Sequence, residues 1–508
     1  MELTMREYRE KLLGCWNGKN AGGTLGAPLE CKRGVFELTG YLQQPQGEPL
    51  PNDDLDLQLV WLNAAERYGR EVDARILSEY WLNYVVPNWG EYGAGKNNLR
   101  LGLEPPLTGW YNNAYRNSNG AFILSEIWAC LAPGHPEIAV RYACEDASVN
   151  HSGEGIYAAV FCAAVESSAF AESNRFRLLE IGLSYLPEDC GVTRGVREVL
   201  HAYRSGKTWK EARGILLNAV PGSFGCLGTP REEIPAGEPV GEIGWDAPSN
   251  IGILVLGLLY GEGDFSKSIC IAAGCGEDAD CTAGTLGALL GIIGGNASIP
   301  EKWLLPLGGK IKTLCVNTAD KDLLIPQTVE ELTERIERLL PAFLGGELCD
   351  CVGAREPGYR VLMREGKALS CAPQRINAWC EERFSDFLRL SPFTLRYDNP
   401  LFTALLDTGD GPEITAGTPK KLRLTVRNNV LAQQAVRVRW LLPQGCRVGP
   451  MAEMQFSLEQ FHCNIGVFCT DFSLFLEQPA GACVEPVIEI SSLGHPSRTY
   501  IPLHLICR

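Results

Sequence analysis

The sequence predicts a multidomain protein: an all-α domain over residues 1–345, a helical connector over 346–389, and an antiparallel β-sandwich of the Ig-like kind over 390–508. Three observations carry this. The chain has 508 residues, more than one ordinary core accommodates. Its first block is rich in Ala, Leu and Gly, with apolar residues recurring at helical spacing between Gly/Pro loops. Beyond about residue 390 the apolar period changes to two.

In the first block, helices are expected over 5–21, 55–68, 74–84, 156–171, 193–205, 209–219, 250–260, 265–273, 281–294 and 329–340. In the last block, Leu422, Leu424 and Val426 alternate with Arg423, Thr425 and Arg427. Val436, Val438 and Trp440 alternate with Arg437 and Arg439, so Trp440 is read as core and not as a sugar platform. Turn residues such as Asn428-Asn429 and Pro443-Gln444-Gly445 separate such runs, as a sandwich requires.

Composition bounds the function. Hydrophobic residues are 45% and charged residues 21% of the chain, an ordinary globular balance. The net charge of -15 argues against a nucleic-acid partner. No apolar run is long enough to span a bilayer, so no membrane association is expected. The first residues lack the basic-then-apolar pattern of a secretory signal, and the 20 cysteines then read as reduced thiols of a cytoplasmic protein. Cys349 with Cys351, or Cys270 with Cys275 and Cys281, match no zinc-module spacing, and structural zinc is not expected.

Two acidic clusters stand out. Asp53, Asp54 and Asp56 open a helix that is apolar nearly all round and therefore buried. Acids at a helix start can simply cap free N–H groups and oppose the dipole. Three acids within one turn exceed what capping needs, and they repel. The second cluster, Glu277-Asp278-Ala279-Asp280, precedes a helix rich in small apolar residues, Thr285-Leu286-Gly287-Ala288-Leu289-Leu290-Gly291. Two acidic entrances to buried helices are explained either by double capping or by a shared oxygen-ligated cation, magnesium or manganese in place of zinc.

An ordered set of motifs resembles the ADP-ribosylglycohydrolase family. Gly22-Gly23-Thr24-Leu25-Gly26-Ala27-Pro28-Leu29-Glu30 resembles its opening segment. Asn52-Asp53-Asp54 resembles its Thr-Asp-Asp metal motif, and Ser118-Asn119-Gly120-Ala121 its Asn-Gly loop. Ser148-Val149-Asn150-His151 resembles a Thr-His segment, and Asp278-Ala279-Asp280-Cys281 its Asp-x-Asp-Thr metal motif. The motifs span roughly residues 10–310 in family order.

The resemblance implies an all-α fold holding one or two magnesium ions, with manganese as a substitute. It implies metal ligation by Asn52, Asp53 and Asp54 on one side and Asp278, Asp280 and Cys281 on the other. It also implies catalytic roles for Glu30, Asp54 and Asp278, and substrate contacts from Asn119, Gly120, Ala121 and His151. The implied partner is a small-molecule or ADP-ribosylated substrate whose anomeric bond is hydrolysed.

Departures from the pattern matter. Asn52 replaces Thr, and its amide oxygen can still meet magnesium. Cys281 replaces Thr, and a thiol is a poor ligand for a hard ion. Thr282 points about 100° further round the helix. Gly23 replaces an acid. Leu124 stands near the place of an Arg, and an Arg-poor site holds a diphosphate less well. Glu30 on its own reads as a surface acid after Pro28, Asn119-Gly120 as a turn pair, His151 as a satisfied core histidine, and Asp56 as a cap or supporting acid. Trp245, Asp246 and Asn250 are read as pocket wall or as aromatic packing. Two further functions fit the departures: a glycosidase acting on a nucleoside, furanoside or small O-glycoside, and a non-catalytic binder of ADP-ribose or sugar.

Overall fold

All ten of the expected segments are helical: Met5–Gly26, Asp53–Tyr68, Ala74–Tyr84, Glu154–Ser168, Gly191–Arg204, Trp209–Ala219, Ala247–Tyr260, Phe265–Gly274, Ala279–Gly294 and Val329–Leu344. The structure, a computed structural model, describes residues 1–220, 244–317, 319, 323–352, 358–375, 381–460, 466–478 and 481–508. Helix starts fall where side chains can satisfy free N–H groups. Thr4 with Glu7 and Thr208 with Glu211 form capping boxes, and Asn52, Asp73, Asp264 and Thr328 cap their helices. Helices at Gly90–Arg100, Pro136–Ala147 and Arg175–Ser184 add to those expected. No described helix is long and apolar enough to cross a membrane.

The chain divides into two compact units, residues 1–96 with 112–371 and residues 97–111 with 372–508. In the first, helices Met5–Gly26 and Ala279–Gly294 pack backbone to backbone. Gly14 faces Gly291, Gly18 faces Gly287, Gly22 faces Ala283, and Gly26 faces Ala279, each so close that a Cβ would collide with main chain. The glycines four apart on the first helix therefore set the approach, as small residues do at tight helix contacts. This pairing brings the end of one helix, next to Glu30, against the start of the other at Asp280.

Between 346 and 389 the structure holds strands as well as short helical turns. Cys349–Val352 pairs antiparallel with Gly358–Leu362, which in turn pairs with Glu2–Thr4. Phe384–Phe387 is a four-residue helix. The alternation that marks Gly358–Leu362, with Tyr359 and Val361 buried, is too short to stand out in the sequence.

The two larger sheets of the second unit are antiparallel. One has five strands in the order Cys446–Gly449, Val467–Leu476, Lys420–Asn428, Phe402–Asp407, Thr394–Asp398. Another has four, in the order Glu453–Leu458, Gln434–Leu441, Val487–Ser492, Arg498–Pro502. Leu422, Leu424 and Val426 from the first share one buried core with Val436, Val438 and Trp440 from the second. Trp440 packs edge-on against Phe472, with ring centroids 5.3 Å apart.

Candidate active site

The two acidic helix starts meet in one cavity of ≈ 370 Å³, to which Glu30, Asp53, Glu91, Asp278 and Asp280 all contribute. Asn52 ties the two starts together. Its Oδ1 accepts from the Asp54 N–H at 2.9 Å, the capping bond, while its Nδ2 donates to Asp280 Oδ2 at 3.2 Å. Asp53 Oδ2 accepts from the Tyr92 hydroxyl at 2.6 Å. Asp54 turns inward, where the Cys281 thiol donates to its Oδ1 at 3.4 Å and the Lys19 ammonium lies 3.3 Å from its Oδ2.

On the opposite side, Asn119 Nδ2 donates to Asp278 Oδ2 at 2.7 Å. Asn250 Oδ1 accepts from the Asp278 N–H at 3.3 Å, and its Nδ2 donates to Gly244 O and Asp246 O. A two-stranded pairing of Lys32–Arg33 with Gly276–Glu277 pins the segment after Glu30 beside the segment before Asp278. Thr282 Oγ1 is used up on the Asp278 main-chain carbonyl at 3.0 Å, away from the cavity.

The donor set fits a divalent cation. Ligating atoms of Asp54, Asp280 and Cys281 lie within 4.8 Å of one another, as do those of Glu30, Asp278 and Asp280, and Asp280 belongs to both groups. Asp278 Oδ1 and Asp280 Oδ1 are buried and accept no hydrogen bond among the described residues. Such oxygens are costly to bury, and a hard cation supplies the partner they lack. Burial pushes Asp54 and Asp278 well above the usual carboxylate range, and the nearby Asp280 charge adds to the effect on both.

Glu30 follows the turn Ala27–Leu29 and borders the cavity. The protein packed around its carboxyl, with Asp280 and Asp53 beside it, pushes it up to about 7. Asp56 faces the other way. Its Oδ2 accepts from the Cys315 N–H at 2.6 Å and from the Leu314 N–H, and burial outweighs these bonds and pushes it up to about 7. It thereby holds Leu314 in the cavity wall.

His151 lies outside the wall. It is fully buried behind Ser118, with Nε2 3.1 Å from Ser118 Oγ and Nδ1 2.7 Å from Asn150 Oδ1. Burial lowers it to about 3, so the ring is neutral. Asn119 and Gly120 are in the wall, whereas Ala121 is buried next to it. Trp245 is wall as well, and its carbonyl accepts from the Asn119 N–H at 2.8 Å.

Several residues of the site carry no sequence motif. Trp89, Glu91 and Tyr92 reach the cavity at the start of helix Gly90–Arg100, whose glycine-rich polar sequence lacks an apolar stripe. Burial pushes Glu91 up to about 7. Beneath Asp54, Lys19 Nζ donates to Glu126 Oε1 at 2.7 Å, Thr285 Oγ1 at 3.0 Å and Ile123 O at 3.0 Å. Burial pushes the Lys19 ammonium down, but Glu126 and Asp54 outweigh it and raise it above its ordinary value, so it stays charged. A lone lysine on an otherwise glycine-and-apolar helix face is the signal that points to such a buried partner.

The sequence profile described as ADP-ribosylglycohydrolase matches residues 4–340. A solved structure described as an ADP-ribosylglycohydrolase-related protein complex is 18% identical, covers 66% of this chain and 100% of its own, and superposes with a TM-score of 0.43. Among curated protein sequences, none matches the chain. The profile match takes in the whole acid-lined cavity and more than half of the 508 residues, and the chain belongs to the ADP-ribosylglycohydrolase family of glycosyl-bond hydrolases.

Proposed function

We propose that the protein is a magnesium-dependent, cytoplasmic glycoside hydrolase that cleaves the anomeric bond of an ADP-ribosyl or related ribose-like substrate. The observation that supports this most is the pair of buried, unbonded oxygens on Asp278 and Asp280, set beside Glu30 and opposite Asp53 and Asp54. Asn52, Asp53, Asp54, Asp278 and Asp280 would hold the cation. Cys281 would act through its hydrogen bond to Asp54 and not as a ligand. A bound divalent cation supplies positive charge that orders vicinal sugar hydroxyls and polarises the reacting oxygen.

The chain's own residues do the rest. Departure of the aglycone builds positive charge on the sugar ring, and the converging carboxylates stabilise it. Glu30 keeps its proton to about 7, so near neutral pH it can give a proton to the leaving group or take one from water. Asn119 and Asn52 fix Asp278 and Asp280 by donating to one oxygen of each, leaving the other oxygens free to face a ligand.

The test is to strip the protein with chelator, restore magnesium, and follow release of free sugar from ADP-ribosyl-arginine, ADP-ribosyl-serine, nucleosides and simple furanosides, with Asp54→Asn and Asp278→Asn beside the parent. Magnesium-dependent release that both substitutions abolish is expected. Binding of these compounds without any turnover would overturn the hydrolase assignment in favour of a binding protein.

A further inference from the structure

The acid-lined cavity gathers hard oxygen donors. Another group of metal-ligating side chains lies in the β-sheet unit, and its chemistry is different. Cys483–Val484 pairs antiparallel with Leu505–Cys507, with Cys483 opposite Ile506 and Val484 opposite Leu505. Val484 and Leu505 belong to the buried core of that unit. Side chains alternate along a strand, so Cys483 and Glu485 both leave on the other face. One step beyond the paired residues His504 comes opposite Glu485, and its Nδ1 lies 3.0 Å from Glu485 Oε1.

Ligating atoms of Cys483, Glu485 and His504 all lie within 4.8 Å of one another, and among the described residues this is the one such group that includes a histidine. Ligands of a single tetrahedral zinc ion stand about 3.3–3.8 Å apart, given bonds of about 2.0–2.3 Å. The Glu485 side chain is 68% exposed and can turn through the small difference, whereas that of His504 is only 17% exposed. The His504 ring occupies space that Gly102 leaves open: a Cβ there would collide with the imidazole, and Gly102 sits at φ +85°, where a side chain would be strained. A hydrogen bond to Glu485 accounts for the imidazole, but not for a thiol brought to the same place on the same strand face.

The donor types decide the ion. A thiolate, an imidazole and a carboxylate form a borderline-soft set that suits zinc and does not suit magnesium. Three protein ligands leave a fourth place for water.

We propose that Cys483, Glu485 and His504 form a zinc site on the β-sheet unit, which clips strand Leu505–Cys507 to strand Cys483–Val484. Binding releases the Cys483 thiol proton to solvent. The site does not depend on the hydrolase reading above.

The experiment titrates the full-length, reduced, magnesium-saturated protein with zinc against a competing chromogenic chelator, and separately with cobalt(II), whose ligation by a thiolate gives a charge-transfer absorption. The parent is compared with Cys483→Ser, His504→Ala and Glu485→Gln. One equivalent of zinc and a cobalt–thiolate band are expected in the parent. Cys483→Ser is expected to lose the band and to weaken zinc by about a hundredfold or more, as is His504→Ala for zinc. Glu485→Gln should keep the band and weaken zinc by about tenfold. A parent without the band, a band that survives in Cys483→Ser, or zinc affinity unchanged in Glu485→Gln would overturn the proposal. Should Cys483→Ser or His504→Ala fail to fold, the parent's cobalt spectrum and Glu485→Gln, changed at an exposed side chain, decide.

Discussion

The helix Asp53–Tyr68 begins with a side-chain cap, and the helix Ala279–Gly294 does not. At the first, Asn52 satisfies the Asp54 N–H, Tyr92 donates to Asp53, and Lys19 and Cys281 both face Asp54. At the second, Asp278 occupies the cap position without capping, and one oxygen each of Asp278 and Asp280 is buried with no donor. Asp54 Oδ2 is also buried without a hydrogen bond, but it faces the Lys19 ammonium, so the first acidic start is compensated in part by the protein itself. The second is left for a cation to complete. Two motifs that look equivalent in sequence differ in who supplies the counter-charge.

That contrast can be broken at several points. Asp280 is common to both candidate cation groups, so Asp280→Asn is expected to lower turnover by roughly a thousandfold or more. It should at the same time raise the melting temperature of the chelator-stripped protein, because a buried repulsion is removed. Equal melting of parent and variant without cation would contradict the unbalanced second start. Lys19→Met tests the compensated first start. It strands Asp54 and Glu126 without their shared cation and is expected to cost about 3–5 kcal/mol in denaturant unfolding.

Glu30→Gln sharpens the chemistry beside the second start. A loss of about 100-fold in turnover, larger than any loss of cation affinity, is expected of a proton-transfer group. A more modest effect concerns pH. Glu30, Asp56 and Glu91 each hold a proton to about 7 in the folded chain, above the ordinary carboxylate range. The folded protein thus binds more protons than the unfolded one between the ordinary range and 7. The stability this contributes is complete below the ordinary range and is lost as pH rises through 7. Thermal melting of the cation-free protein should show that decline, and magnesium should flatten it. The smallest effect belongs to Asn52→Ala, where loss of the cap costs about 1 kcal/mol of stability.

Much of this was legible in the sequence. The helices followed from apolar periodicity, while their starts are set by caps such as Thr4, Asn52 and Thr328 that the periodicity does not show. Antiparallel strands in the second unit followed from period-two alternation, as in Leu422-Arg423-Leu424-Thr425-Val426. Asp53, Asp54, Asp278 and Asp280 could be found because acids before an apolar helix are conspicuous. Glu91 and Tyr92 could not, because what brings them to the cavity is tertiary: a polar helix whose residues gain meaning only from Asp53 and Gly120 opposite them. The apolar helix face around Lys19 signals a buried partner, but which partner was hidden, since Asp54, Glu126 and Thr285 come from three separate helices. The sequence likewise offered Asn119 and His151 as substrate contacts. Folded, Asn119 bonds Asp278 while His151 lies behind Ser118, positions that depend on the register between distant segments.

The most direct test of the difference between the two starts is calorimetric titration of manganese into chelator-stripped protein, with the parent compared to Asp278→Asn and Asp54→Asn. Loss of binding in Asp278→Asn, with measurable though weaker binding in Asp54→Asn, is the predicted result. Undiminished binding in Asp278→Asn would contradict the account, because the cation would then rest on the helix start that the protein has already balanced in part.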